Sequence, residues 1–123
     1  MENPQRGDLM AAACPSRDVL RRLTGRWGML VLWTLAAGPQ RFSGLRRHIG
    51  GVSERMLAQT LQGLESDGMV LRRDFGTVPP HVEYQLSDFG TDLCTALRPL
   101  CEWGSAHIDE IAAIAAARGA SSA

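Results

Sequence analysis

The chain has no lysine, since all 13 of its basic side chains are arginine, and these are matched by 13 acidic side chains. It also has no long apolar run. The stretch from Met29 to Ala37 is far shorter than the ~20 residues that a transmembrane helix needs. The first fifteen residues lack the apolar core and cleavage site of a signal peptide, so we expect a cytoplasmic protein without membrane association. Three cysteines without a CxxC pair argue against a disulfide scaffold and against a structural zinc site.

Signals of an enzyme are missing as well. Gly50-Gly51 is not followed by Lys-Ser or Lys-Thr, so it is not a phosphate-binding loop. Cys14 could form a nucleophile–base pair with His48, His81 or His107, but nothing in the sequence places them together. We therefore expect no catalytic residue, no cofactor and no bound metal.

The charges are unevenly distributed along the chain. Residues 1–40 contain five arginines and three acids, residues 41–81 contain six and four, and residues 82–123 contain two and six. The first two thirds are therefore mildly basic and the last third is acidic. This asymmetry predicts that one surface faces a polyanion while another does not.

The most informative pattern spans residues 53–68. Leu57, Leu61 and Leu64 share one helical face, Ser53 is a good N-cap, and Gly68 stands where a helix-ending glycine is expected. The opposite face is rich in Arg, Gln, Ser and Thr, which can hydrogen-bond to base edges in a DNA major groove. Taken alone, the pattern is more typical of an ordinary amphipathic surface helix.

The neighbouring segments change this interpretation. Ser43 is predicted to cap a short helix ending at Ile49, and a glycine turn then leads into the 53–67 helix, which gives a helix-turn-helix over 43–67. After Gly68 the pattern alternates every second residue, which predicts two strands and a connecting loop over 69–86. A β-hairpin directly after a helix-turn-helix is the arrangement of a winged helix. The predicted fold is therefore mainly α with a small β-hairpin wing (α+β).

The remaining segments are assigned around this unit. We expect one domain over 14–117, preceded by a flexible arm (1–13) and followed by a flexible tail (118–123). Ser16 is predicted to cap a first helix (16–24), a buried second helix runs to about Ala37, and residues 40–42 form a short extended piece. Ser87 is predicted to cap a last helical region (88–117), in which Pro99 causes a kink or begins a second helix.

This last region carries an apolar stripe at helical spacing. It contains Leu93, Leu97, Leu100, Gly104, Ile108 and Ile111. A domain of this size cannot cover such a stripe by itself, which predicts a homodimer held by the first and last helices. The alternative is a tail that folds back over its own core.

Several short motifs occur in a specific order. They are Cys14-Pro15, Gly25-Arg26-Trp27, Gly38-Pro39, Arg41-Phe42, Leu45-Arg46, the 53–68 helix, Val78-Pro79-Pro80, Val82-Glu83-Tyr84, Leu86-Ser87 and Gly90. In these motifs, over residues 14–105, the chain resembles the HxlR-type regulators, winged-helix bacterial transcription factors related to the MarR group. Arg26 departs from the pattern, since the family usually has lysine there, although the positive charge is kept.

The resemblance implies a transcriptional regulator that binds double-stranded DNA as a homodimer on a short inverted repeat. The 53–67 helix would enter the major groove and the wing would reach the minor groove, with half-sites roughly 34 Å apart. Two other functions stay open: a winged-helix protein-interaction module, and a regulator controlled by a small-molecule ligand.

Candidate DNA-binding residues follow from the exposed helix face and the basic clusters. We expect Arg55 to read a guanine and Gln59 an adenine, with secondary contacts from Ser53, Met56 and Gln62. Phosphate or minor-groove contacts are expected from Arg46, Arg47, Arg72 and Arg73, and a polar contact from His81. The alternative for the arginines is a solvated basic surface.

Cys14 is the candidate redox sensor. It precedes a helix N-terminus, where the dipole favours a thiolate, and Arg17 is close in sequence. The resemblance implies control by oxidants or electrophiles through this cysteine. The alternative is packing at the dimer interface, which is also the expected role of Cys94 and Cys101. A disulfide between Cys14 and a cysteine of the partner chain is left open.

Overall fold

The structure, a computed structural model, describes residues 9–122, which form six helices and one two-stranded antiparallel sheet. In chain order the elements are α1 (Pro15–Leu23), α2 (Gly28–Leu35), α3 (Phe42–His48), α4 (Glu54–Ser66), β1 (Val70–Asp74), β2 (Val82–Leu86), α5 (Asp88–Ala106) and α6 (Ile108–Ser122). This is the order of a helix-turn-helix followed by a wing, as predicted.

The core lies where α2, α3 and α4 meet. Leucines from each of these helices are almost completely inaccessible to solvent, among them Leu32, Leu45 and Leu61. α2 was expected to be buried nearly all round, and this is wrong. Its Val31 side is buried, but Leu30 and Trp33 on the other side are each 43% exposed. Helix α2 therefore presents a second apolar face outside the core.

Helix α4 agrees with the prediction at both ends. The Ser53 hydroxyl accepts a hydrogen bond from the backbone N–H of Met56 at 3.1 Å, which satisfies one of the free donors of the first turn. At the other end Gly68 has a φ of +76°, a conformation that side chains with a Cβ rarely adopt. The buried leucines fix the rotation of the helix, so its polar face points outward.

The wing is a hairpin in which Val70 pairs with Leu86 and Asp74 pairs with Val82. At its base Val70 is buried, and Leu86 packs partly against the core. The expected extended piece before α3 is present at Gln40, whose backbone exchanges two hydrogen bonds with Tyr84. It is shorter than predicted, because the chain is already helical at Phe42.

Three predicted helix boundaries need correction. Ser16 is not the N-cap of α1, because the helix begins at Pro15 with Cys14 as its cap residue. A proline fits the first helical position, where no N–H donor is needed. Ser43 is likewise inside α3, which begins after Arg41. The first helix ends at Leu23, one residue before the predicted end at 24.

The C-terminal region also differs in detail. Ser87 caps α5 as predicted, accepting a hydrogen bond from the Gly90 N–H at 2.9 Å. Of the two alternatives for Pro99, a second helix that begins there is wrong, since α5 continues through Pro99 to Ala106. The break comes at His107, whose ring Nδ1 donates to the Trp103 carbonyl at 2.8 Å. Helix α6 then extends to Ser122, so helix covers most of the predicted tail.

Residues 1–8 of the predicted arm lie outside the described residues, and residues 9–13 form turns and a bend. Within the described chain, no helix is both long and apolar enough to cross a bilayer. Over the same residues, no three His, Cys, Asp or Glu side chains are grouped so that they could hold a metal ion.

Candidate nucleic-acid interface

The outer face of α4 carries three polar side chains that the rest of the described chain leaves free. Arg55, Gln59 and Gln62 are exposed on the side of the helix away from its buried leucines. Among the described residues, none of the three makes a hydrogen bond or an ion pair. Their donors and acceptors are therefore available to an external partner.

Two other predicted contacts on α4 are placed differently. The Ser53 hydroxyl is engaged in capping the helix, as described above. Met56 is 41% exposed, but it lies on the flank of α4 and lines a cleft beside the helix. The Ser53 hydroxyl is therefore less available to a partner than the side chains of Arg55, Gln59 and Gln62, and Met56 stands to one side of them.

Helix α3 supplies the basic cluster on one side of α4. Arg46 Nη1 lies 2.9 Å from Glu54 Oε1, so one of its two predicted phosphate donors is already paired with the first residue of α4. Arg47 is exposed and makes no ion pair within residues 9–122. The ring Nδ1 of His48 donates to the Gly44 carbonyl at 2.7 Å, which holds that ring against its own helix.

The arginines of the wing leave the hairpin on opposite faces. Arg73 stacks on Phe75, with its guanidinium carbon 4.5 Å from the ring centroid, and Phe75 in turn packs against His81 at 4.5 Å between centroids. His81 Nε2 is buried and lies 3.7 Å from Glu83 Oε1. Arg72 neighbours Arg73 in the strand and therefore projects from the other face.

Arg41 connects the wing to the helix-turn-helix. It precedes α3, and its Nη2 donates to the carbonyl of Pro80 in the wing loop at 3.3 Å. The sequence predicts no role for this arginine, although it follows Gln40, the residue that pairs with β2. The tip of the loop projects beyond it, and the Val78 side chain there is 98% exposed.

The second flank of α4 faces the connection between α1 and α2. A cleft of about 270 Å³ lies there, and Arg26, Trp27, Met56 and Gln59 are among its lining residues. The guanidinium carbon of Arg26 lies 4.7 Å from the centroid of the Trp27 ring. The sequence predicts no contact for Arg26, which stands out there only as a departure from the family pattern.

A separate apolar groove of about 620 Å³ lies on the other side of the molecule's core, between α2 and the C-terminal helices. Leu30 and Trp33 line it from α2, and Leu100, Trp103 and Ile108 line it from α5 and α6. All five side chains are more than two-fifths exposed. The C-terminal part of the predicted stripe is thus uncovered within the described chain, whereas Leu93 and Leu97 pack against the core.

The three cysteines have different surroundings. Cys14 is buried, with 1% of its surface exposed, and Arg17 directs its Nη1 to the carbonyl of Met10 at 3.1 Å. Cys94 is buried with its sulfur 3.6 Å from the Leu32 carbonyl, and burial together with the nearby Cys101 raises the pKa of its thiol. Cys101 is half-buried and lines the apolar groove.

The candidate interface thus consists of a polar helix face that is flanked by basic elements and followed by a hairpin. The sequence matches the HxlR-like helix-turn-helix family over residues 22–112. The chain belongs to this family. The HxlR-like resemblance predicted from the sequence is therefore confirmed, and the matched region contains α2 to α5 and the wing.

Similar proteins of this HxlR-like family agree in fold and description. The chain is 48% identical over 114 residues to the HTH-type transcriptional regulator YtfH of Escherichia coli K12. The aligned residues cover 93% of this chain and 90% of YtfH. The structure of the transcriptional regulator ytfH from Salmonella typhimurium matches with a TM-score of 0.79 and 48% identity, over 87% of this chain and 96% of that one. The redox regulator HypR in its reduced form matches with a TM-score of 0.72 and 33% identity. The match covers 80% of this chain and 98% of the HypR chain.

These findings confirm the winged helix-turn-helix fold and the general function. The protein is a helix-turn-helix transcriptional regulator, and the proteins that resemble it are regulators rather than enzymes.

Proposed function

We propose that the protein binds a short inverted repeat in double-stranded DNA as a homodimer, with α4 of each protomer in the major groove. The observation that carries this proposal is the outer face of α4, where Arg55, Gln59 and Gln62 are exposed and have no partner among the described residues. Acid–base pairs along a helix stabilise a solvated helix face, and these three side chains take part in none among the described residues.

The chemistry of this face suits base edges. Arg55 and Gln59 are four residues apart and therefore neighbours on the helix surface. An arginine fork pairs with the O6 and N7 acceptors of guanine, and a glutamine amide pairs with the N6 and N7 groups of adenine. Gln62 continues the row one turn further along, with Ser53 and Met56 in secondary positions.

Phosphate contacts are proposed for the elements on either side of α4. Arg47 is free to contact a phosphate, whereas Arg46 must give up its Glu54 partner to do so. Arg72 and Arg73 leave opposite faces of the wing, so one faces the DNA more directly than the other. His81 supports Phe75 beneath Arg73, which favours a role in shaping the wing over a direct contact.

The apolar groove between α2 and the C-terminal helices supports the homodimer. Its tryptophans and leucines are exposed in the single chain, and a second copy would cover them. An apolar groove of this volume also has the size of a small-molecule site. A ligand that binds there would alter the dimer, which is the basis of the alternative in which a small molecule controls the regulator.

Control through Cys14 is proposed from its position and from the similarity to the redox regulator HypR. The Cys14 sulfur is buried at the start of α1, and the backbone N–H of Cys14 donates to the Ala11 carbonyl at 3.1 Å. Because Cys14 is buried, an oxidant can reach its sulfur only when the residues that cover it move. Because α1 contacts α2, modification here would disturb a helix that borders the apolar groove. The protein would act in the cytoplasm, together with the DNA that it binds.

The proposal is tested by measuring binding to duplex DNA from the region upstream of the protein's own gene, with a scrambled duplex as control. We expect salt-dependent binding that favours the upstream duplex, with two chains per duplex. Equal binding to both duplexes would contradict sequence-specific recognition. An absence of binding to either at low salt would favour the protein-interaction alternative.

A further inference from the structure

The two flanks of α4 are chemically alike, but only one of them has an assigned role. On one flank, Arg46 and Arg47 of α3 lie beside the first turn of α4. On the other flank lies the Arg26 cleft, which we define by Arg22, Arg26, Trp27, Met56 and Gln59. It borders the same helix face that carries the proposed base-reading residues, because Gln59 belongs to both.

We infer that the Arg26 cleft binds a DNA phosphate, on the strand that runs past α4 on the side away from α3. This inference rests on the proposed function. A helix seated in the major groove, which is about 12 Å wide, has one sugar-phosphate strand along each of its flanks. The elements on both flanks are therefore brought close to phosphates, and the α1–α2 connection is the element on the second flank.

Arg26 has the properties of a phosphate-binding side chain. It is exposed, and within residues 9–122 it makes no ion pair with an acid. Its guanidinium carbon lies over the Trp27 ring, 4.7 Å from the ring centroid. Stacking on an aromatic face restricts the guanidinium in space without using its N–H donors. The donors therefore stay free for a bidentate contact with phosphate oxygens.

Arg22 in the same cleft is committed to a structural contact. Its Nε donates to Asp67 Oδ2 at 2.9 Å, and the Asp67 side chain is only 6% exposed. The pair neutralises much of the Arg22 charge and holds the α1 side of the cleft against the end of α4. This leaves Arg26 as the free cation of the cleft among the described residues that line it.

The floor of the cleft keeps Arg26 at a fixed distance from α4. Trp27 is buried, with 9% of its surface exposed, so the ring on which Arg26 stacks is anchored in the core. Gly28 follows it, and a Cβ there would lie 2.6 Å from the Arg22 carbonyl oxygen. The start of α2 thus packs directly against α1, and a larger residue would push the stacked pair away from α4.

The test compares DNA binding by wild type, Arg26→Ala, Arg26→Gln and Arg26→Lys over a range of salt concentrations. Arg21→Ala is the matched control, because it removes the same charge from an exposed position on α1 outside the cleft. Fluorescence anisotropy is measured with two labelled duplexes, the upstream region of the gene and its scrambled version. Thermal unfolding of each variant shows that the fold is retained.

We expect Arg26→Ala and Arg26→Gln to flatten the slope of log affinity against log salt by about 0.9, equivalent to about eightfold weaker binding at 0.1 M salt. The loss should be equal on both duplexes, because a phosphate contact carries no base information. Arg26→Lys should keep the wild-type slope and lose less affinity. Arg21→Ala should behave as wild type.

The inference is overturned if the wild type binds DNA and both uncharged variants keep its slope, or if Arg21→Ala flattens the slope as much as they do. A loss confined to the upstream duplex would also overturn it, since Arg26 would then read a base. If the wild type itself does not bind either duplex, the proposed function fails before this comparison begins. The two failures are therefore distinguishable.

Discussion

Arg22 and Asp67 are 45 residues apart in sequence and joined by a hydrogen-bonded ion pair, with Nε and Oδ2 separated by 2.9 Å. The pair ties α1 to the residue that ends α4. Arg22 crosses α4 close to Gly63, where a Cβ would lie in ordinary van der Waals contact, 3.4 Å from Cδ of Arg22. The position of the proposed recognition helix thus depends on the first helix as well as on the core.

We expect Asp67→Asn to lower the free energy of unfolding by about 1 to 2 kcal/mol, because it removes a buried charge that accepts a hydrogen bond from a cation. The matched control is Glu54→Gln, which breaks the Arg46 pair of the same 2.9 Å length. The Glu54 side chain is 72% exposed, so solvent screens that pair and its loss should cost less than about 0.5 kcal/mol. Urea unfolding measures the free energy of unfolding of both variants. Equal losses would contradict the expectation that the buried pair contributes more to stability than the exposed pair.

The junction between the wing and α5 depends on one glycine. A Cβ at Gly90 would lie 2.0 Å from the Met69 carbonyl oxygen, which also accepts the Ser87 backbone N–H at 3.0 Å. We expect Gly90→Ala to lower the free energy of unfolding by on the order of 3 kcal/mol, because backbone must move on one side or the other. Gly119→Ala, in α6 with open space around it, is the control and should cost nothing. Urea unfolding of Gly90→Ala with a midpoint like the wild type's would contradict the close contact.

The fold was predictable because its signals are local. The spacing of Leu57, Leu61 and Leu64, the Ser53 cap and the change to alternation after Gly68 each report on neighbouring residues, and each is confirmed. The errors fall where a longer-range effect or a competing local signal decides. Pro15 displaces Ser16 at the start of α1, and Pro99 does not begin a second helix, since α5 continues through it to Ala106.

The candidate site was predictable only in part, for the same reason. The free face of α4 follows from helical periodicity, so Arg55 and Gln59 could be named in advance. Pairing between distant segments could not be foreseen, and it engages residues such as Arg22 with Asp67 and Arg41 with Pro80. The Arg26 cleft likewise forms only when the α1–α2 connection packs beside α4.

The apolar groove provides a test of the homodimer. We expect Trp103→Glu to convert the protein from dimer to monomer, because it places a charge among exposed apolar side chains that a second copy would bury. Light scattering after gel filtration measures the mass directly. Val78→Glu is the control, since Val78 is even more exposed but lies at the wing tip. The homodimer proposal would be contradicted by a wild type that is monomeric at micromolar concentration.

Base reading by Arg55 is tested by specificity rather than by affinity alone. We expect Arg55→Ala to lose about 1 to 3 kcal/mol of discrimination at one guanine position of the operator half-site, the value of a bidentate pair. Arg47→Ala, which removes a free arginine from α3, should weaken binding to all sequences equally. Binding to a library of operator variants measures both effects. A uniform loss with Arg55→Ala would reassign this side chain to phosphate.

The thiol proposal predicts that oxidation changes DNA binding through Cys14. With diamide, two thiols each give up a hydrogen to the reagent and form a disulfide, so we expect the wild type to lose operator binding and to recover it with dithiothreitol. Cys14→Ser should bind equally in both conditions. Cys94→Ala is the matched control. Burial raises the pKa of the Cys94 thiol, so little thiolate is present at neutral pH and removal of this thiol should leave the response to diamide intact.

A covalent dimer on a non-reducing gel would identify an inter-subunit disulfide, and Cys101→Ser would show whether that cysteine takes part. Oxidation-sensitive binding that persists in Cys14→Ser would move the sensor to another residue.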